Sequence, residues 1–156
     1  MNRRVVIVLA ILVAAGIFTA VQGTLSQPTP QASRQAINLP GKSVQAPFSD
    51  AILSGNTLYL AGRIGLDPKT GKAPDKIEDE IKILLDSEKE VLAQAGMTMD
   101  DLVYVQISCT DLTLFDKFNA IYKTYFSKEF PAREFIGAGS LLRGGHFELQ
   151  AIAVKR

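Results

Sequence analysis

Near the N-terminus, residues Val5 to Val21 form a run of seventeen without a charged side chain, and Arg3 and Arg4 precede it. A run of this length and polarity is typical of a secretory signal peptide or of a short membrane span. A buried core helix would carry polar residues along one face and caps at its ends, and this run has neither. We therefore predict that residues 1–23 are a signal peptide cleaved after Gly23, or an uncleaved signal anchor.

The next segment, residues 24–36, is rich in Gln, Pro, Ser and Thr, and Arg34 is its one charged residue. This composition buries little apolar surface and predicts a flexible tether. The arginines before the apolar run predict that everything after it lies outside the cytoplasm. We expect an exported domain at residues 37–156, periplasmic or secreted, which contacts a membrane only through the N-terminal segment if that segment is kept.

The composition narrows the classes of function open to this domain. Seventeen basic and 16 acidic residues give a formal charge of +1, and the basic side chains form no block, so nucleic acid is not an expected partner. Cys109 is the one cysteine of the 156 residues, which excludes an intrachain disulfide. With His146 as the single histidine, the usual Cys/His zinc sites are excluded as well. We expect no metal and no cofactor.

Short apolar runs and helical periods alternate along the globular part. Residues Ala51 to Ser54 and Thr57 to Ala61 flank Gly55-Asn56, a pair that suits a two-residue hairpin turn. The sequence Asp67-Pro68-Lys69-Thr70-Gly71 follows and predicts a further turn, because proline fixes one backbone angle and glycine accepts a left-handed one.

A first helix is predicted from a capping box, Asp75 with Glu78, and from Gly96 as its C-terminal cap. Seven apolar residues follow helical spacing and predict the packed face: Ile77, Ile81, Leu84, Leu85, Val91, Leu92 and Ala95. Charged residues predict the solvent face: Glu80, Lys82, Asp86, Lys89 and Glu90.

The second half of the domain predicts one strand, one helix and two more strands. Period-two alternation over Leu102 to Cys109 places Val103, Val105, Ile107 and Cys109 on one side. Thr113 is expected to cap a second helix, which Phe130-Pro131 ends. Arg133 to Ala138 and His146 to Val154 complete an α+β fold, a mixed sheet with two helices on one face. The other face would be covered by a partner chain or solvent, which favours an oligomer.

Few residues of this domain offer chemistry. Arg133 could hold a carboxylate through two parallel hydrogen bonds, or could make a surface ion pair. Glu148 and Gln150 lie two apart on a predicted strand, so they share a face and lie roughly 7 Å apart. We assign no role to Cys109, expected to be a buried inert thiol, or to His146, expected to be structural.

Several segments together resemble the RidA (YjgF) family of reactive-intermediate deaminases. They are Gly55 to Gly62, Asp67 to Gly71, Phe130-Pro131-Ala132-Arg133 and the terminal Glu148 to Val154. The match is collinear over about residues 37–156. It implies a chorismate-mutase-like fold, a homotrimer and ligand clefts at the subunit interfaces. The ligand implied is a 2-imino acid or another small carboxylate.

The resemblance also implies roles for single residues. Arg133 would grip the carboxylate of a 2-imino acid, and Gly62 and Asn119 match family cleft or cleft-supporting positions. By position, Gln150 stands where the family has its catalytic glutamate. Phe48 stands where it has a tyrosine, and Phe135 where it has a cysteine.

These departures set the functional expectations. The family hydrolyses 2-imino acids to 2-keto acids and ammonia, and a glutamine can orient water but cannot take and return its proton. Deaminase activity is then expected to be weak unless Glu148 substitutes for Gln150. The alternative is a non-catalytic trimer that binds small carboxylates or protein partners. RNA cleavage and chaperone-like activity have also been linked to the family, and the near-zero net charge argues against RNA.

Overall fold

The computed structural model of the protein describes residues 33–41 and 46–155. The segment predicted to be a signal peptide or anchor, and the predicted tether up to residue 32, lie outside these ranges. Within them, no helix is both long enough and apolar enough to cross a bilayer.

The described residues form one mixed sheet of six strands. In chain order the strands are β1 (Arg34–Ile37), β2 (Ala51–Ser54), β3 (Thr57–Ile64), β4 (Leu102–Cys109), β5 (Ala132–Gly137) and β6 (Phe147–Val154). Across the sheet their order is β1-β2-β3-β6-β4-β5. Strands β4 and β5 run parallel, and the other neighbouring pairs are antiparallel. The mixed sheet inferred from the sequence is therefore confirmed.

The predicted hairpin joins β2 to β3, and Ser54 lies opposite Thr57. Only Gly55 of the turn takes a positive φ, 62°, which suits the glycine-first type of two-residue turn. Strand β1 begins at Arg34, three residues before the predicted start of the domain at residue 37, and pairs with β2. Its pairing rests on backbone hydrogen bonds, which a pattern of apolar side chains does not reveal.

The first helix, α1, spans Ile77–Gln94, and Gly96 follows its end with φ 68°, as predicted. The capping box at Asp75 is wrong: Lys76 is the N-cap and no side chain caps it. The prediction that Glu80 faces solvent is also wrong, because its side chain is fully buried. Backbone donors at the start of β6 offset the cost of burying its carboxylate.

The second helix, α2, spans Phe115–Tyr122 and follows a 3-10 turn at Leu112–Leu114. Its expected cap at Thr113 is wrong. Asp111 caps the turn instead, and its Oδ1 accepts hydrogen bonds from the Thr113 backbone N–H (2.9 Å) and hydroxyl (2.7 Å). The carboxylate is the stronger acceptor, so the threonine becomes a donor to the cap.

Both helices pack on one face of the sheet, where the buried side chains of β4 and β6 lie: Val105, Ile107, Cys109, Phe147, Leu149, Ala151 and Ala153. Val103 does not belong to this face, contrary to the prediction. An irregularity in pairing between Leu102 and Tyr104 buries Leu102 and leaves Val103 46% exposed.

The opposite face carries a row of large apolar and aromatic side chains. Ile52, Tyr59, Ile152 and Tyr104 are register partners across β2, β3, β6 and β4. Tyr59 is 50% exposed, and no described helix covers this face.

Candidate functional site

Arg133 lies on the helix-covered side of the sheet. Its register partner on β4 is Val105, which is buried beneath the helices. Three aromatic rings surround the guanidinium: its Cζ atom lies 4.9 Å from the ring centroid of Tyr122 and 5.7 Å from those of Phe115 and Phe135. These cation–π contacts help to hold the guanidinium in place.

A pocket of about 450 Å³ adjoins Arg133. It is lined by Asn119, Tyr122, Lys123, Phe130, Pro131 and Arg133. Among the described residues, no carboxylate lies within 4.0 Å of the Arg133 guanidinium. The surface ion pair considered from the sequence is therefore absent from this part of the chain, and the arginine can accept a ligand carboxylate there.

Tyr122 also lines this pocket and carries a polar group of its own. Its hydroxyl is buried and has no hydrogen-bond partner among the described residues. Burial raises the pKa of Tyr122 to about 12, and the positive charge of Arg133 opposes this rise. The phenol therefore stays protonated at neutral pH and can donate a hydrogen bond.

Phe135 supports this pocket from below. Its ring lies edge-on to Phe115, with centroids 5.0 Å apart, and edge-on to Phe118 at 5.6 Å. Phe135 thus forms part of the surface on which Arg133 rests and is absent from the lining of the pocket. We call the pocket that Arg133, Asn119 and Tyr122 line the arginine pocket; Phe135 contacts Arg133 without lining it.

Gly62 and Glu148 are in contact on the face of the sheet that no described helix covers, which we call the open face. Glu148 is the register partner of Ile64 on β3 and of Ser108 on β4. Its carboxyl group lies against Gly62, where a Cβ atom would overlap Oε1 and lie 3.3 Å from Cδ. Gly62 therefore leaves the space that the carboxylate occupies.

Gln150 lies further along β6, opposite Gln106, and is exposed. It shares the open face with Glu148, as the two-residue spacing predicts, but the glutamate and not the glutamine contacts Gly62. Phe48 precedes β2 and is 59% exposed.

The two groups of candidate residues lie on opposite faces of one sheet. Arg133 pairs with Val105 on the helix side, whereas Glu148 precedes buried Leu149 and must point the other way. One chain therefore cannot place its own arginine pocket and its own Glu148 carboxylate on the same small ligand.

The structure also shows the surroundings of Cys109 and His146, the two residues to which the sequence assigned no role. Cys109 is fully buried, burial raises the pKa of its thiol, and its Sγ donates to the Asp111 carbonyl oxygen at 3.1 Å. This confirms the expected buried thiol. His146 is held by Glu80, with 2.7 Å between Nδ1 and Oε2.

Sequence reasoning missed Tyr122 and Phe115 as site residues. Tyr122 lies three residues after Asn119 on α2, so helical spacing was a signal that both face one side. No local signal marks Phe115, whose contact with Arg133 joins α2 to β5 across the fold.

The described residues define an α+β protein with a mixed sheet backed by two helices, in which a guanidinium without an ion-pair partner in this part of the chain and a carboxylate against a glycine lie on opposite faces. Comparisons with known proteins identify the family to which this fold belongs. The family model described as Endoribonuclease L-PSP matches residues 40–155. This chain belongs to that family, the RidA (YjgF) family, as the sequence motifs indicated.

Three relatives show how similar this chain is to known members of the family. The chain is 36% identical over 110 residues to the 2-iminobutanoate/2-iminopropanoate deaminase of Bos taurus, covering 70% of this chain and 80% of the relative. A Rid-family protein from Yersinia pestis, YyfA, superposes with a TM-score of 0.73 at 32% identity, covering 78% of this chain and 99% of that chain. E. coli TdcF with bound serine superposes with a TM-score of 0.72 at 26% identity, with the same coverage. The chorismate-mutase-like fold is thereby confirmed.

Proposed function

We propose that this protein hydrolyses 2-imino acids to 2-keto acids and ammonia. The observation that carries the proposal is the Arg133 guanidinium in the arginine pocket, which has no ion-pair partner among the described residues and can bind a substrate carboxylate. The Glu148 carboxylate at Gly62 supplies a group for the reaction. The relatives named as 2-iminobutanoate/2-iminopropanoate deaminases support the reaction class.

Binding is the task of the arginine pocket. Arg133 would pair with the substrate carboxylate, and Asn119 and Tyr122, which line the same pocket, carry further hydrogen-bonding groups. The aromatic rings beside Arg133 lower the polarity of its surroundings, which strengthens its pairing with an anion.

The general base in this proposal is Glu148. Its carboxylate takes a proton from water as the water oxygen bonds to the imine carbon, and the proton passes to the imine nitrogen. The tetrahedral intermediate then loses ammonia when the hydroxyl proton is moved to nitrogen, and the carbonyl forms. Gln150 cannot perform these transfers, because an amide does not accept a proton at neutral pH, so its role is limited to orienting water. With Glu148 against Gly62, activity need not be weak.

A complete site would require a second copy of the chain. Arg133 and Glu148 of one chain lie on opposite faces, so Glu148 of one copy would meet Arg133 of a neighbour. The row of side chains across the other face of the sheet, which comprises Ile52, Tyr59, Ile152 and Tyr104, supports this arrangement, because it offers a largely apolar surface for a partner. We propose the homotrimer with clefts at its interfaces on this basis. Export remains a prediction from residues 1–23.

The decisive experiment measures ammonia released from freshly generated 2-iminobutanoate, with protein mass in solution measured in parallel. We expect Arg133→Ala to raise KM and Glu148→Gln to lower kcat by about 10²- to 10⁴-fold. Gln150→Ala should change kcat much less than Glu148→Gln. The absence of a rate above background in a folded oligomer would refute the deaminase.

The second candidate is a carboxylate binder without catalysis, favoured by the fact that Glu148 and the arginine pocket of one chain lie on opposite faces of the sheet. Stabilisation by 2-ketobutanoate that disappears in Arg133→Ala, without ammonia release, would select it.

A further inference from the structure

Glu80 is a buried carboxylate outside both halves of the proposed site. It lies in the first turn of α1, and its side chain is fully buried. Its Oε1 atom accepts hydrogen bonds from the backbone N–H of His146 at 2.6 Å and of Phe147 at 3.1 Å. Its Oε2 atom lies 2.7 Å from Nδ1 of His146. A carboxylate buried this deeply is stable only with such donors.

These contacts fix the point at which β6 begins. Phe147 is the first residue of β6, and His146 directly precedes it. The His146 carbonyl oxygen also accepts from the Thr110 N–H at 3.0 Å, which joins the same point to the end of β4. The start of β6 is thus attached to α1 on one side and to the neighbouring strand on the other.

Two glycines allow the close approach that this contact needs. At Gly65, which follows β3, a Cβ atom would overlap the backbone oxygen of Glu80. At Gly145, which precedes His146, a Cβ atom would overlap the Ile64 side chain and lie 3.7 Å from Glu80 Oε1. The backbone at Glu80 and the segment before His146 therefore pack closely at two positions where a side chain would not fit.

Glu148 directly follows Phe147 on β6, so the contacts that hold the backbone of His146 and Phe147 also fix the position of Glu148. Strand side chains alternate between faces, and a shift in register would move Glu148 away from Gly62. We propose that Glu80 is a positioning residue: by holding the backbone of His146 and Phe147, it places the Glu148 carboxylate over Gly62. This inference rests on the proposed function, in which Glu148 is the general base.

The test compares three substitutions at Glu80 in the full-length protein. Glu80→Ala removes the acceptor, and we expect kcat to fall about 10- to 100-fold while KM stays within about threefold. Glu80→Gln keeps an oxygen for the two backbone donors and should restore kcat to within about threefold of wild type. If Glu80→Ala does not fold, Glu80→Asp, which keeps the charge but shortens its reach, replaces it. Glu78→Ala is the matched control, because Glu78 lies in the same turn, is exposed and pairs with Lys117.

A double-mutant cycle separates positioning from a general structural role. If Glu80 acts through Glu148, Glu80→Ala should have no further effect on kcat in a Glu148→Gln background. An equal loss in both backgrounds would overturn the proposal, as would a Glu80→Gln variant as slow as Glu80→Ala.

A failure of the deaminase function itself is distinguishable from a failure of this proposal. If wild type releases no ammonia, amide hydrogen exchange decides: protection at Phe147 and Glu148 that is lost in Glu80→Ala and kept in Glu80→Gln supports the anchoring of β6. Equal protection in both variants overturns it.

Discussion

Glu88 lies on α1 in the core, and its charge state should make stability depend on pH. Burial raises its pKa from the usual 4.5 to about 8, opposed by the charge of Arg63 and assisted by that of Asp50. Neither carboxyl oxygen has a hydrogen-bond partner among the described residues, and Arg63 Nε lies 3.8 Å from Oε1. Arg63 instead makes its short contact with Asp50, at 3.0 Å, so desolvation outweighs the attraction to Glu88.

The sign of the effect follows from proton binding. Between pH 4.5 and about 8 the folded protein keeps a proton on Glu88 that the unfolded chain has lost. The stability that this proton contributes is fully present below pH 4.5 and is lost as pH rises through 8. Between pH 4.5 and 8 the free energy of unfolding falls by about 1.4 kcal/mol per pH unit. Glu88→Gln removes the titration and keeps the shape. Relative to this variant, wild type should lose about 3–4 kcal/mol between pH 5 and pH 8.

Urea unfolding of wild type and Glu88→Gln at pH 5, 6, 7 and 8, at one protein concentration, measures this difference. Glu90→Gln is the matched control: Glu90 is exposed on the same helix, and water solvates its carboxylate in both states. A difference between wild type and Glu88→Gln that is constant with pH would refute the reasoning. A Glu88 that is ionised throughout this range and paired with Arg63 would give that constant difference, because its carboxyl group would be deprotonated in both the folded and the unfolded state above pH 5.

Three further predictions concern the open-face carboxylate, the core and the thiol. Gly62→Ala should displace the flexible end of the Glu148 side chain, because the new Cβ atom would overlap its Oε1 atom. We expect kcat to fall about 10- to 100-fold, the loss typical of a misplaced catalytic group, with little change in the midpoint of urea unfolding. Phe118→Ala, at a fully buried ring whose centroid lies 4.9 Å from that of Phe147, should cost about 3–5 kcal/mol in urea unfolding, and a loss below about 1 kcal/mol would contradict the packing. Cys109 should react with a thiol reagent only in urea, because burial shields the thiol and raises its pKa, and rapid labelling of the folded protein would show otherwise.

The sequence predicted most of the secondary structure, because hydrophobic period and turn chemistry are local properties. The hairpin at Gly55, the helix ending at Gly96 and the two final strands follow from them. The weaker predictions involve competition between neighbouring groups. Asp111 replaces Thr113 as a cap because its carboxylate is the better acceptor, and Val103 leaves the core because β4 pairs irregularly there.

For the candidate site, too, the sequence predicted some features and the tertiary structure decided the others. Spacing alone placed Glu148 and Gln150 on one face, and the motif around Arg133 indicated a carboxylate-binding arginine. Only the tertiary structure decided that Glu148 is the residue against Gly62 and that Arg133 lies on the opposite face.

Buried charge was likewise decided by tertiary structure. Glu80 belongs by helical spacing to a charged face, yet it is buried because backbone donors at the start of β6, on His146 and Phe147, 66 and 67 residues away in sequence, bind its carboxylate. The sequence by itself determined which residues could form strands, helices and turns around this α+β core. Which carboxylates are buried, and which side chains meet at a site, depended on contacts between distant segments that no local pattern encodes.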